Sequence, residues 1–251
     1  MKISISGKGG SGKSTVATLL AKQALQRGRT VLVVDADDSN SGLYRMLGFE
    51  HPPTPLMALV GGKDKIKEKM GQSTLLTQAQ ISITDIHPEF IVRRDGLMMV
   101  AIGKILHSLE GCACPMGVLN REFLNKLTLN DHELAIIDME AGIEHFGRGI
   151  DEAIDQVLVV IEPSFDSLVM AEKINDLAGS IGKKVAVVLN KIPSEKISLE
   201  MEAEVASKGM ELIGILPYDS KVFDANLHGK TAAGSQASEA AGRIVKQILQ
   251  V

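Results

Sequence analysis

The sequence predicts an α/β fold, a mostly parallel β-sheet flanked by helices on both faces, and three observations carry that expectation. Short apolar runs alternate with amphipathic segments along the chain. Several runs are continuous Val/Ile/Leu stretches rather than alternating ones, as expected for strands covered on both faces. The first run leads directly into a glycine-rich loop and then a strong helix former, a strand–loop–helix order.

Taken in order, strands are expected at 2–6, Thr30–Asp35, Leu97–Ile102, Leu134–Asp138, Gln156–Ile161, Lys184–Leu189 and Glu211–Leu216. Between them lie helical stretches at 13–27, closed by Gly28, and at Met116–Leu127, 166–179, 195–207 and 236–249. Residues 48–96 are the least readable part. There His51-Pro52-Pro53-Thr54-Pro55 reads as a rigid surface connection, and the mixed charges of 63–69 as a solvated helix face. With no internal repeat or low-complexity linker, 1–251 reads as a single domain carrying 48–96 as an insertion. The terminal stretch Gly242–Val251 is short for a membrane-lying helix and is expected to pack on the sheet.

Composition narrows the function classes. A chain of 251 residues, 45% hydrophobic, can bury a sizeable core. A net charge of −4 and a pI of about 5.9 give no electrostatic attraction to nucleic acid. Aromatic residues are scarce, with no Trp, two Tyr and six Phe, so a base-stacking surface is disfavoured as well. Two cysteines cannot make a disulfide framework, no signal peptide precedes the first strand, and no apolar run approaches the ~20 residues of a membrane span. The expectation is a cytoplasmic protein without nucleic-acid or membrane partners.

Chemistry concentrates first in Gly7-Lys8-Gly9-Gly10-Ser11-Gly12-Lys13-Ser14-Thr15, which fits the phosphate-loop spacing G-x-x-x-x-G-K-[ST]. Four glycines let the backbone turn its N–H groups around a polyanion, and the following helix N-terminus adds partial positive charge. Gly9, Gly10, Ser11, Gly12, Lys13, Ser14 and Thr15 are the candidate nucleotide contacts. Lys13 supplies a cation for the β- and γ-phosphates, and Ser14 a hydroxyl for Mg²⁺. Lys8 is extra: a cation at the loop tip, where its own chain cannot easily use it. Two acidic sites follow buried strands, Asp35-Ala36-Asp37 and Asp138-Met139-Glu140-Ala141-Gly142. Both emerge at the carboxyl edge of the sheet, where open α/β sheets bind ligands. Asp138, ending an apolar strand, is the Walker B candidate for Mg²⁺. Two later stretches, Asn190-Lys191 and Pro217-Tyr218-Asp219, look like base recognition. Pro193 stands where an N-K-x-D guanine motif needs Asp, so ATP is expected rather than GTP. His145 reads as structural or surface rather than catalytic.

The pattern G-K-G-G-x-G-K-[ST] resembles the deviant phosphate loop of the family that includes nitrogenase iron protein and the MinD/ParA ATPases. That resemblance implies a nucleotide-promoted homodimer in which Lys8 reaches the partner's nucleotide. It further implies that Asp37 orients or deprotonates the attacking water and that Asp35 sits beside Ser14 and the Mg²⁺ shell. Gly142 would sense the γ-phosphate through its N–H, Asn190 would hydrogen-bond adenine, and Pro217 and Asp219 would supply backbone contacts.

Cys112 and Cys114, the two cysteines of the chain, stand two apart just before the helix expected from Met116. Pro115 suits a first helical turn, and the helix dipole favours thiolate, the metal-binding form. Two thiolates are half of a four-coordinate site, which a two-fold dimer would complete. Soft sulfur ligation suits Zn²⁺, Ni²⁺ or an Fe–S cluster; inert buried thiols or a vicinal disulfide are the plainer readings. The segment Gly111-Cys112-Ala113 is similar to the first cluster segment of nitrogenase iron protein, yet 138–149 carries no second cysteine. The C-x-C-P motif with Asp138-Met139-Glu140-Ala141-Gly142-Ile143-Glu144-His145 instead resembles the CooC-type nickel-insertion ATPases of carbon monoxide dehydrogenase maturation. What that implies is an ATP-dependent metallochaperone carrying Ni²⁺, or Zn²⁺ at the same thiolates, to a client nickel enzyme. An Fe–S-carrying reductase ATPase of the iron-protein type and a positioning ATPase of the MinD/ParA type are the alternatives.

Overall fold

The computed structural model describes residues 1–39, 41–69, 74–103, 114–147, 149–232 and 234–249. Strand β1 (Lys2–Gly7) feeds the glycine loop and helix α1 (Lys13–Gln26), followed by β2 (Thr30–Ala36). Short elements come next: α2 (Leu43–Leu47), α3 (Leu56–Leu59), α4 (Lys63–Lys69), β3 (Ile81–Ser82) and β4 (Val92–Arg94). Then follow β5 (Leu97–Ala101), α5 (Cys114–Lys126), β6 (Leu127–Thr128), β7 (Glu133–Met139), α6 (Glu144–Gly147) and β8 (Gln156–Ile161). The chain continues through α7 (Phe165–Ser180), β9 (Lys184–Ile192), α8 (Glu195–Ser207), β10 (Leu212–Pro217), α9 (Ser220–Leu227) and α10 (Gln236–Leu249).

Eight strands form one sheet in the order β10-β9-β8-β1-β7-β2-β5-β4. Every neighbouring pair is parallel except β4 on β5. The strands' carboxyl ends therefore share one edge, and β1 delivers the glycine loop there between β7 and β8. Along β2 the side chains divide strictly between two apolar layers. Val31 and Val33 join Ile3, Ile5, Leu19 and Ile244 on one face. Leu32 and Val34 join Leu119, Phe123, Ile174 and Val205 on the other. Both faces are dry, which is why these strands read as continuous apolar runs.

The expected strands all form, with ends shifted by a residue or a few. Helix α5 starts at Cys114, two residues before its expected start, and this places Pro115 in the first turn, where a missing N–H costs nothing. Residues 48–96 are more integrated than an insertion: β4 extends the main sheet, and Leu56, Ile66 and Phe90 enter its core. The carboxylate of Glu122 on α5 accepts the N–H groups of Leu75 and Leu76 at 2.8 and 2.9 Å, fixing that region to the helix. Several short elements escape sequence reading, among them α2, α3, β3, β4, β6, α6 and α9. The longest, α9, has eight residues, none of them buried.

Helix α10 lies on the sheet, as its pattern predicts, with Ala237, Ala240, Ala241, Ile244 and Val245 buried. Gly214 on β10 permits the approach: a Cβ there would stand 2.3 Å from Ile244 Cγ1. Arg27 of α1 locks the far side by donating to Gly242 O at 2.8 Å. Among the described residues no helix is long and apolar enough to cross a membrane. Ile244→Ala should lower unfolding stability by about 2–4 kcal/mol, the cost of an unfilled core site, read from the denaturant midpoint.

Candidate active site

A loop that turns its N–H groups toward a ligand must place its carbonyls elsewhere. Here they are bonded outward, one by one. Ser11 N–H donates to Lys8 O at 3.2 Å, Val16 N–H to Gly12 O at 2.9 Å and Gly142 N–H to Gly7 O at 3.3 Å. Asn190 Nδ2 donates to Ser11 O at 2.8 Å, and the Lys191 ammonium to Gly10 O. Gly12, at φ 96°, is the position that makes this possible, because a Cβ there would lie 2.3 Å from Asn190 Nδ2. Inside the loop, Lys13 and Ser14 line a cleft of about 500 Å³ with Gly9, Gly10, Thr15 and Asp37. Lys13 is buried, so its charge is directed at the cleft rather than at bulk water.

The acidic edge sits beside the loop. Asp35 and Asp138 are register partners on β2 and β7, and both are buried. Burial pushes the Asp138 carboxyl up to about 7; Asp35 and Asp37 push the same way, while the Ser14 hydroxyl and Lys13 oppose it. Neither Asp138 oxygen closes a hydrogen bond of good geometry, although Ser14 is close enough to offset part of the burial. Adjacent hard oxygen donors, among them the Asp138 carboxyl that resists ionisation without a cation, fit Mg²⁺, and the residues that would hold it are Ser14, Asp35 and Asp138. Asp37 is fixed at the cleft wall, its Oδ1 accepting the N–H and the hydroxyl of Ser39 at 2.9 and 2.6 Å.

Beside the cleft a smaller pocket is lined by Thr15, Asn190, Pro217, Tyr218, Asp219 and Phe223. The side chain of Asp219 is committed to structure: it caps α9 through Lys221 N–H at 3.0 Å and receives Ala237 N–H of α10 at 3.1 Å. Partial burial raises its pKa, but the surrounding backbone amides outweigh that and hold it below the ordinary carboxylate range. Asn226 on α9 donates to Thr15 Oγ1 at 3.0 Å, joining this pocket to the phosphate loop.

One expectation is corrected. The chain does have a use for Lys8, whose ammonium lies 3.5 Å from Glu162 Oε1. Glu162 also pairs with Lys191 at 2.9 Å. Neither Glu162 nor the Asn226–Thr15 tie was singled out from the sequence. The signal for Glu162 was available: it follows an apolar strand at the carboxyl edge, as the acidic sites after β2 and β7 do. Gly142 also differs in detail, since its N–H is given to Gly7 O and must leave that bond before it can reach a phosphate. His145 is structural: buried, 3.5 Å from Ser6 Oγ and packed on Phe146.

Cys112 lies outside the described residues, whereas Cys114 is the first residue of α5. The turns that follow it, through Met116, Gly117 and Asn120, border a small gap shared with Ala36, Asp38, Met139 and Glu140. Residues that follow β2 and β7 therefore line the same gap as the first turns of α5.

Because the folded-state pKa of Asp138 is raised, the folded chain holds a proton that the unfolded chain releases above about pH 4. Without divalent cation, stability should fall as pH rises from about 4 to about 7. Thermal unfolding at pH 5.5 and 8 checks this: Asp138→Asn should flatten the difference, and should abolish protection by Mg²⁺ with nucleotide at pH 8.

A family model for the CobQ/CobB/MinD/ParA nucleotide-binding domain matches residues 3–232. The chain is 42% identical to an uncharacterized ATP-binding protein of Methanocaldococcus jannaschii, covering 92% of this chain and 93% of that one. It is 34% identical to the carbon monoxide dehydrogenase accessory protein CooC of Rhodospirillum rubrum, over 91% of this chain and 88% of that one. In structure it resembles the septum site-determining protein MinD of Pyrococcus horikoshii complexed with Mg-ADP, with a TM-score of 0.74 at 19% identity, covering 98% and 95% of the two chains. Because the match runs through the phosphate loop, both acidic loops and the smaller pocket together, the chain belongs to the CbiA family, the CobQ/CobB/MinD/ParA nucleotide-binding domains, as one of its ATPases.

Proposed function

We propose that the protein is an ATP-driven, dimerising metallochaperone that carries Ni²⁺ on Cys112 and Cys114 and assists its insertion into carbon monoxide dehydrogenase or a related nickel enzyme. The observation that supports this reading is the placement of α5, whose first turns line the same small gap as Asp38 and Glu140, which follow β2 and β7. The 34% identity to a carbon monoxide dehydrogenase accessory protein supports the choice of client and cargo.

In this reading the loop N–H groups and Lys13 bind the β- and γ-phosphates, and Asp37 orients the attacking water. Bound Mg²⁺, held by Ser14, Asp35 and Asp138, supplies charge neutralisation at the phosphates. Asn190 has committed its Nδ2 to Ser11, so its adenine contact falls to Oδ1, an acceptor suited to the exocyclic amine. The segment Pro217–Asp219 contributes backbone to the same base. Lys8 swings from Glu162 to the nucleotide of a partner subunit, and Gly142 exchanges Gly7 O for the γ-phosphate. Four thiolates, two from each subunit, then meet on the two-fold axis. Hydrolysis removes the bridge between subunits and releases the metal.

Metal analysis of anaerobically purified protein, combined with its mass in solution, tests the cargo. Changing Cys112 and Cys114 together to Ser should abolish a stoichiometry of one nickel per dimer; undiminished nickel in that variant would sink the reading. A visible absorbance band in the purified protein would point instead to a shared Fe–S cluster.

Lys8→Ala should bind nucleotide nearly as well as the unmodified chain but hydrolyse it on the order of 10³-fold more slowly, the scale of a cation supplied in trans. Steady-state turnover against protein concentration measures this, and equal turnover counts against a role across the dimer.

A further inference from the structure

Beside the nucleotide cleft stands a carboxylate that touches none of the phosphate, metal or base positions of the proposed cycle. Glu162 stands just beyond the carboxyl end of β8, next to the strand that delivers the phosphate loop: Gly7 and Val160 are register partners. At Gly7 the two backbones press together so closely that a Cβ would lie 2.6 Å from Val160 O. This contact fixes the distance between loop and Glu162 independently of any side chain. The Glu162 carboxylate, with its side chain only 20% exposed, then receives two ammonium groups on separate oxygens. Lys8 approaches Oε1 at 3.5 Å and Lys191 approaches Oε2 at 2.9 Å.

The two contacts are not alike. Lys191 is also bonded to Gly10 O, so its ammonium is anchored at two points, although its side chain is the more exposed of the two, 44% against 33% for Lys8. Lys8 has the single ion pair to Glu162, and it is the longer one. One negative charge shared between two cations leaves each incompletely neutralised, and the less anchored partner is the one that can be drawn away by a stronger anion. A nucleotide triphosphate arriving on a second copy of this chain is such an anion.

We propose that Glu162 is the resting counter-ion of Lys8, a positioning residue that holds the loop-tip ammonium against its own chain and sets the protein concentration at which ATP-loaded subunits pair. This rests on the reading that Lys8 acts across a dimer. Lys191 stays on Glu162 when Lys8 leaves, so the carboxylate is never stranded unpaired and the exchange costs only the weaker contact. The size of that contact sets the expected effect: an exposed or half-exposed ion pair is worth up to about five-fold in an equilibrium.

Two measurements decide it. In nucleotide-free protein, trace acetylation with acetic anhydride read by mass spectrometry should label Lys8 several-fold faster in Glu162→Gln than in the unmodified chain, with Glu162→Asp restoring part of the protection. Equal Lys8 labelling in the unmodified and Glu162→Gln chains overturns the cis pair. By sedimentation with ATP and Mg²⁺, Glu162→Gln should dimerise at about five-fold lower protein concentration. That gain should vanish in a Lys8→Ala background; a gain that persists there overturns the proposal and assigns the effect to Lys191 and the loop. The trans role itself is read separately, since Lys8→Ala turning over like the unmodified chain refutes that role, while the labelling contrast still decides whether Glu162 holds Lys8.

Discussion

The carbonyls of the phosphate loop constrain everything around them. Turning N–H groups inward leaves oxygens pointing out, and a buried carbonyl without a donor costs on the order of 1–3 kcal/mol. The chain meets this requirement from three directions: α1 through Val16, the loop after β7 through Gly142, and the end of β9 through Asn190 and Lys191. The cradle is therefore a product of the sheet order. β1 must lie between β7 and β8, with β9 one strand further, for these donors to reach it.

That same arrangement crowds acidic side chains at the carboxyl edge. Asp35 and Asp138 are register partners on adjacent strands, and burial is the main cause that pushes the Asp138 carboxyl up. The site is costly to ionise alone and is stabilised by cations, which makes cation and nucleotide binding a single event energetically. On the far side of these strand ends, Met116 and Asn120 of α5 line a small gap together with Asp38 and Glu140, which follow β2 and β7.

Much of the fold and the phosphate site was legible in the sequence for identifiable reasons. Strands covered on both faces print as unbroken apolar runs, and a phosphate loop needs glycine, lysine and hydroxyl residues at fixed spacing within a few positions of one another. What could not be read depends on residues far apart in the chain. The pairing of Lys8 with Glu162 exists only because β8 lies beside β1. The double use of Asp219 as a cap for α9 and α10 requires knowing where both helices start. Helix α9 is only eight residues long and carries no buried residue, and β4, with three residues, is too short to show a period. The cysteine motif was legible as a motif, but its surroundings were not, because the gap that α5 shares with the acidic loops is lined by the turns that follow the motif.

The short strand β4 has a consequence for how copies of this chain meet. It closes one side of the sheet with three residues, antiparallel to all that precede it. Two of them are arginines that fold back onto the protein: Arg93 donates to Ile83 O at 2.8 Å, and Arg94 donates to Gly48 O at 2.6 Å while lying over the Phe49 ring. A brief, positively charged border of this kind offers little template for a strand from another molecule. That flank is thereby protected from edge-to-edge aggregation without a covering helix, and the sheet stays finite although its interior strands are among the most apolar segments in the chain.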